Sequence, residues 1–136
     1  MKTKSFLLLF GFFILLTSWK NTALVKPQEV DTGKIKVMIL YPNEAGKTFD
    51  MDYYSNKHMP MVAELFGEPL KSYSIDQGIA GRTPEEPMPY IAIGCFYFDK
   101  LSDYENAFGP NAEKILGDIP NYTNIQPKVQ ISKSIK

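Results

Sequence analysis

Alternation with a two-residue period opens the patterned part of the chain. Ile35, Val37, Ile39 and Tyr41 interleave with Lys36, Met38 and Leu40, which predicts a strand whose second face is also fairly apolar. The period then becomes helical. Met51, Tyr54, His58, Met61, Val62 and Leu65 recur at intervals that place them on one face, with Asp52, Asn56, Lys57 and Glu64 largely elsewhere. Asp50 is the expected N-cap, and Gly67 with Pro69 beyond it ends the helix near Phe66. Pro60 removes a donor and disfavours helical geometry at Met59, so a kink or restart is expected just after His58.

Tyr73, Ile75 and Ile79 mark a second strand, followed by a proline-rich loop over residues 81–89 that is expected near a pocket mouth. Tyr90 to Phe98 is apolar on both faces, the pattern of a central strand covered by helices on one side and by something else, such as a second subunit, on the other. Ser102-x-x-Glu105 reads as a capping box opening a second helix through Tyr104, Ala107 and Phe108. Gly109-Pro110 should kink it before Ile115 and Leu116, and Gly117 should end it. Val129, Ile131 and Ile135 give a last strand, with Pro127 fitting an edge or strand start. The order βαββαβ predicts an α+β, ferredoxin-like fold: a four-stranded antiparallel sheet with both helices on one face. The bare face calls for a partner.

The first residues form a separate unit. Lys2 and Lys4 precede an apolar run from Phe6 to Leu16 and the polar Thr17-Ser18, the layout of a secretory signal peptide. The run is short for a membrane span. Residues 1–23 are therefore expected to be a leader cleaved near Ala23, 24–33 a linker and 34–136 the folded domain, exported to the periplasm or the medium. An uncleaved leader acting as a membrane anchor is the alternative.

Charge changes the picture little. The chain is formally neutral; three of its 15 basic residues and none of its 15 acidic ones precede Val25, so the mature part is acidic by three charges. Its basic residues are scattered, which argues against a nucleic-acid groove and against a polybasic membrane patch. A single cysteine, Cys95, excludes an intrachain disulfide, and with one histidine beside it a zinc cage is not expected. Ile93, Phe96, Tyr97 and Phe98 around Cys95 predict a buried strand position and a role as small core filler, with a thiol that is reactive or bridges two subunits as the alternative.

Candidate chemistry centres on His58, the only histidine, with Tyr54 four residues before it. A phenol and an imidazole in an apolar pocket can trade protons near neutral pH. His58 is read as base or acid and Tyr54 as its hydrogen-bond partner or as oxyanion donor; Met61, Tyr97, Phe108 and Tyr122 are the candidate walls of a substrate pocket. Asp118-Ile119-Pro120 reads as a turn held by Asn121 and Thr123, with Tyr122 the residue there that has a line into the pocket. Neither a G-x-G-x-x-G after a strand nor a P-loop is present, and there is no Ser or Cys nucleophile motif and no metal-ligand spacing, so no cofactor is expected. Deprotonation of a phenol, an enol or a similar activated C–H bond suits these residues. Three other readings stay open: a core histidine with no turnover, a pocket that binds a small apolar or aromatic ligand without reaction, and a structural dimer with a filled interior.

Phe49-Asp50 with Tyr53-Tyr54, then His58-Met59-Pro60, and later Asp118-Ile119-Pro120-Asn121-Tyr122-Thr123 give the chain a family resemblance. In the order and spacing of these pieces, over about residues 34 to 135, it resembles the EthD-like family of small dimeric α/β-barrel proteins. The resemblance implies a ferredoxin-like protomer whose sheet pairs with a second copy to close a barrel, and a pocket between helices and sheet holding His58. It also implies a loose biochemical assignment. Members are named for ether-degradation gene clusters, some are labelled reductases, and wider relatives include polyketide cyclases and cofactor-independent oxygenases. The leader departs from the cytoplasmic members of that family.

Overall fold

The computed structural model describes residues 32–135. The expected leader and all but the end of the linker lie outside the described residues. Within them the chain runs β1 (Ile35–Pro42), α1 (Met51–Tyr53), a π-helical turn (Tyr54–His58), α2 (Met59–Phe66), β2 (Leu70–Gln77), β3 (Tyr90–Phe98), α3 (Leu101–Phe108), a 3₁₀ turn (Gly109–Asn111), α4 (Ala112–Asp118), a second 3₁₀ turn (Ile119–Asn121) and β4 (Lys128–Lys133). The strands form one sheet in the order β2-β3-β1-β4, with every neighbouring pair antiparallel. This is the α+β, ferredoxin-like arrangement that the hydrophobic pattern predicts, with β3 central and β4 at an edge.

Local chemistry explains the first helical segment. Asp50 caps it, accepting a 2.9 Å hydrogen bond from the Tyr53 backbone N–H. Proline at position 60 cannot donate to the turn before it and crowds the carbonyl four residues back. The helix answers by widening over Tyr54–His58, where the Met59 N–H bonds to the Tyr54 carbonyl, five residues back, and then resumes as α2. Gly67, with φ +63°, ends α2 in a conformation that suits glycine.

The widened turn inserts a residue into the helical count, so the buried positions after His58 are Met59, Val62 and Phe66, while Met61 and Leu65 are only partly covered. That corrects the continuous face expected through Met61 and Leu65. Other boundaries shift as well. α3 begins at Leu101 behind Lys100, so Ser102 lies inside the first turn and caps nothing. Gly117 sits within α4, and Ile79 and Ile135 fall outside their strands and are exposed. The 3₁₀ turn at Gly109–Asn111 supplies the expected kink.

The core lies between the helices and one face of the sheet, built on Val37 and Tyr41 of β1, Ala92, Phe96 and Phe98 of β3, and Val62 and Phe66 of α2. Register sorts the other face: Lys36 pairs with Tyr97, Met38 with Cys95 and Leu40 with Ile93. Cys95 is therefore buried in the strand, as expected, but on the side away from the helices and apart from the cluster between helices and sheet. The helices leave part of β4 bare on their own side too, where Val129 and Ile131 are large and exposed. No helix among the described residues is long and apolar enough to cross a membrane.

Candidate active site

Two segments far apart in sequence meet at the start of the first helix. The chain after α4 lies against residues 48–50: the Asp50 N–H bonds to the Tyr122 carbonyl at 2.7 Å, the Thr123 hydroxyl donates to the Thr48 carbonyl at 2.7 Å, and the Asn124 side chain accepts from the Thr48 N–H at 2.9 Å. The Thr123 hydroxyl thus ties this segment to residue 48 and accepts from the Ile125 N–H, and does not hold the turn at 118–120 as expected. Asn121 does bond within that turn, but side chain to side chain, donating to the Asp118 carboxylate at 2.8 Å. This join brings Asp118 and Tyr122 to the π-helical turn that carries Tyr54 and His58.

His58 is 5% exposed, and its Nδ1 lies 2.8 Å from Asp118 Oδ2. The other carboxylate oxygen accepts from the Tyr53 hydroxyl at 2.9 Å and from Asn121. An ionised carboxylate only accepts, so Nδ1 carries the proton and Nε2 is left with a lone pair. Burial pushes the His58 pKa below its ordinary value, and the bond to Asp118 and its charge pull partly back. Burial works to raise the Asp118 pKa, but the bonds from His58, Asn121 and Tyr53 outweigh it and hold the carboxyl below the usual range. At neutral pH the pair is a carboxylate and a neutral imidazole.

Tyr54 stacks on the imidazole with ring centres 5.7 Å apart, while Tyr122 packs on His58 at 4.6 Å. The Tyr122 hydroxyl is tied to that of Tyr41 at 2.6 Å. The Tyr54 hydroxyl is buried and has no hydrogen-bond partner among the described residues. Burial raises the pKa of Tyr54 and of Tyr122 well above the phenol range, and it pushes Tyr41 up to about 12 against the bond from Tyr122. All three therefore stay protonated. Tyr54 is a donor in search of an acceptor, and its rings-only contact with His58 replaces the hydrogen bond expected between them.

A cavity of about 90 Å³ lies beneath the helices, lined by Tyr54 and His58 together with Tyr41, Val37, Val62, Phe96, Tyr104, Phe108 and Ile115, and reaching Leu116 and Val129 at its rim. Phe108 is a wall, as expected. Three other expected walls are not. Tyr97 stands on the opposite face of the sheet, opposite Lys36, because its strand parity is that of Cys95. Met61 is turned outward by the widened helix and borders a shallow surface depression beside Asp118. Tyr122 lies behind the imidazole, its hydroxyl already engaged. A broader groove of about 710 Å³ between residues 48–50 and 119–126 is open to solvent and does not include His58; the smaller cavity is the one that Tyr54 and His58 both line. The loop over residues 81–89 lines neither.

Asp118, Tyr53 and Tyr41 join this candidate site, and spacing along the chain did not single them out. Among the described residues no group of three or more His, Cys, Asp or Glu side chains is placed to hold a metal ion.

Comparison with known proteins adds a family. The EthD domain model matches residues 44–126. Among solved structures, an EthD-like protein from Ralstonia eutropha JMP134 is 38% identical with a TM-score of 0.72, over 75% of this chain and 92% of that one. An ethyl tert-butyl ether D (EthD) family protein from Bacillus halodurans C-125 is 16% identical with a TM-score of 0.52, over 75% of this chain and 99% of that one, a likeness of fold alone. No curated protein matches.

Proposed function

This chain belongs to the EthD domain family, and we propose that it holds a small, mostly apolar molecule bearing an oxygen in the cavity beneath its helices and moves a proton on it. One observation carries the reading: a buried imidazole fixed by a carboxylate shares an apolar cavity with a buried phenol that has no hydrogen-bond partner among the described residues. Buried polar groups are rarely left unpaired without a reason, and a ligand oxygen supplies one.

The step follows from the protonation states. Nε2 of His58 takes a proton from a carbon next to a carbonyl, or from a phenol or enol oxygen. The electron pair of the broken C–H bond moves onto the carbonyl oxygen, which accepts a hydrogen bond from the Tyr54 hydroxyl as its negative charge grows. Asp118 steadies the imidazolium that forms, in the way an orienting carboxylate serves a histidine base. Return of the proton to the same or a neighbouring atom completes an exchange or an isomerisation. Reaction of the enolate with dioxygen would instead begin a cofactor-independent oxidation of the kind that the family resemblance implies.

The test uses a small ketone as probe. In D₂O the protein should exchange the α-hydrogens of 2-butanone faster than buffer does, and His58→Gln should lose roughly 10²- to 10⁴-fold of that rate while keeping its fold by circular dichroism. Saturable binding with no exchange would instead support the binding-protein reading, which the same cavity favours.

A further inference from the structure

The cavity is smaller than its surroundings suggest. At about 90 Å³ it falls short of the roughly 150 Å³ in which a benzene ring is held. A head of a few atoms fits beside His58 and Tyr54 more readily than an aromatic ring.

The rim has the opposite character. Leu116, 53% exposed, and Val129, 57% exposed, line the cavity at its mouth. Strand alternation carries the same face of β4 on to Ile131, 45% exposed and paired with Val37, and then to Lys133, paired with Ile35. Single exposed apolar side chains are ordinary, but these form a row that leads out of a cavity on a strip of sheet the helices leave bare. Val129 and Ile131 are two residues apart, which extends the apolar path by roughly 7 Å.

We propose that the site takes an unbranched molecule with a small carbonyl head and an alkyl tail. The head enters the cavity, with its oxygen at the Tyr54 hydroxyl and the neighbouring carbon toward His58. The tail passes between Leu116 and Val129 and lies along β4 as far as Ile131. Small heads with no tail leave the rim exposed to water; longer chains cover it. The inference rests on the proton-transfer reading for the place of the oxygen, but not for the path of the tail.

The single histidine makes the experiment direct, since its ring gives one set of NMR signals. The purified protein is titrated with 2-butanone, 2-hexanone, 2-octanone and 2-nonanone, with the His58 ring followed for affinity and α-exchange followed separately. A fully buried methylene strengthens binding by about fourfold; on a half-open strip about twofold per methylene is expected. The gain should level off once the tail passes Ile131. Ile131→Asp, at an exposed position outside the cavity, should shrink the nonanone-to-butanone affinity ratio toward one. Saturable binding with the same affinity across the series would overturn the inference and leave proton transfer standing, and so would a phenol that binds as tightly as 2-octanone. Affinity that climbs with tail length but brings no exchange would support the inference and remove the reaction. If no ketone moves the His58 signals, the inference fails.

Discussion

His58 owes its character to a residue 60 positions away in sequence. Asp118 fixes which nitrogen carries the proton, and burial keeps the ring neutral. Because the folded His58 pKa lies below the ordinary 6.5, the unfolded chain binds more protons in the window beneath that value, so stability falls as pH drops through it. Asp118, also held low, adds a second loss only at more acid pH, beneath its ordinary 3.8. Thermal melts from pH 7 to pH 5 should therefore show a falling midpoint that is flatter in His58→Gln. Asp118→Asn removes the one influence that raises the His58 pKa, so the histidine NMR titration should move to lower pH; an upward move would contradict the assignment. Tyr54 and His58 were legible in the sequence from their spacing and their place on an apolar face. Asp118 stood in view within a recognised turn, but nothing in a one-dimensional pattern says which distant carboxylate meets a given imidazole.

At the scale of elements, the widened turn at Tyr54–His58 and the glycine on β3 below it act together. A Cβ at Gly94 would overlap the Tyr54 hydroxyl and approach the Met59 side chain to 3.2 Å, so the strand is shaped to admit a phenol reaching the sheet. Gly94→Ala should destabilise by about 1–3 kcal/mol through overpacking, read as a lower denaturant midpoint with unchanged slope. Tyr54→Phe removes a buried hydroxyl that has no partner among the described residues, so it should leave stability unchanged or raise it while slowing exchange. Combining the two should recover most of the Gly94→Ala loss; strictly additive effects would show that the hydroxyl does not meet the glycine. The sequence signalled a disturbance at Pro60 but not its form. A kink would have kept Met61 on the inner face, whereas one inserted residue turned it out and placed Met59 there instead. Tyr97 went astray for a related reason. When both faces of a strand are apolar, alternation no longer tells which face meets the helices.

At the scale of the whole molecule, the sheet has a face that no element among the described residues covers. Met38, Leu40, Ile93 and Tyr97 form a half-buried apolar centre there, Cys95 lies buried among them, and Ser72, Asp76, Lys128 and Gln130 stand on the flanking strands. An apolar centre with a polar rim is the make-up of a subunit interface, and pairing of two such faces is the assembly that the family resemblance implies. Light scattering at micromolar concentration should give the mass of a dimer, and Ile93→Asp, which puts a charge at the centre, should shift it to monomer with little change in far-ultraviolet circular dichroism. A monomeric parent would remove the proposal. This face and the β4 rim lie on opposite sides of the sheet, so the monomeric variant should still bind ketones through its cavity.

Periodicity and punctuation determined the order of elements, the cap at Asp50, the stop at Gly67 and the central place of β3, and they put Tyr54 and His58 forward as candidates, because each of these depends on neighbours within a turn or a strand. The leader expected over residues 1–23, and the export it would imply, were also read from local pattern and lie outside the described residues. Only the tertiary structure decided which carboxylate orients the histidine, which phenol is left unpaired, how large the cavity is and where it opens. Those properties arise from the packing of segments distant along the chain, and a shift of one residue in helical phase or strand parity is enough to change them.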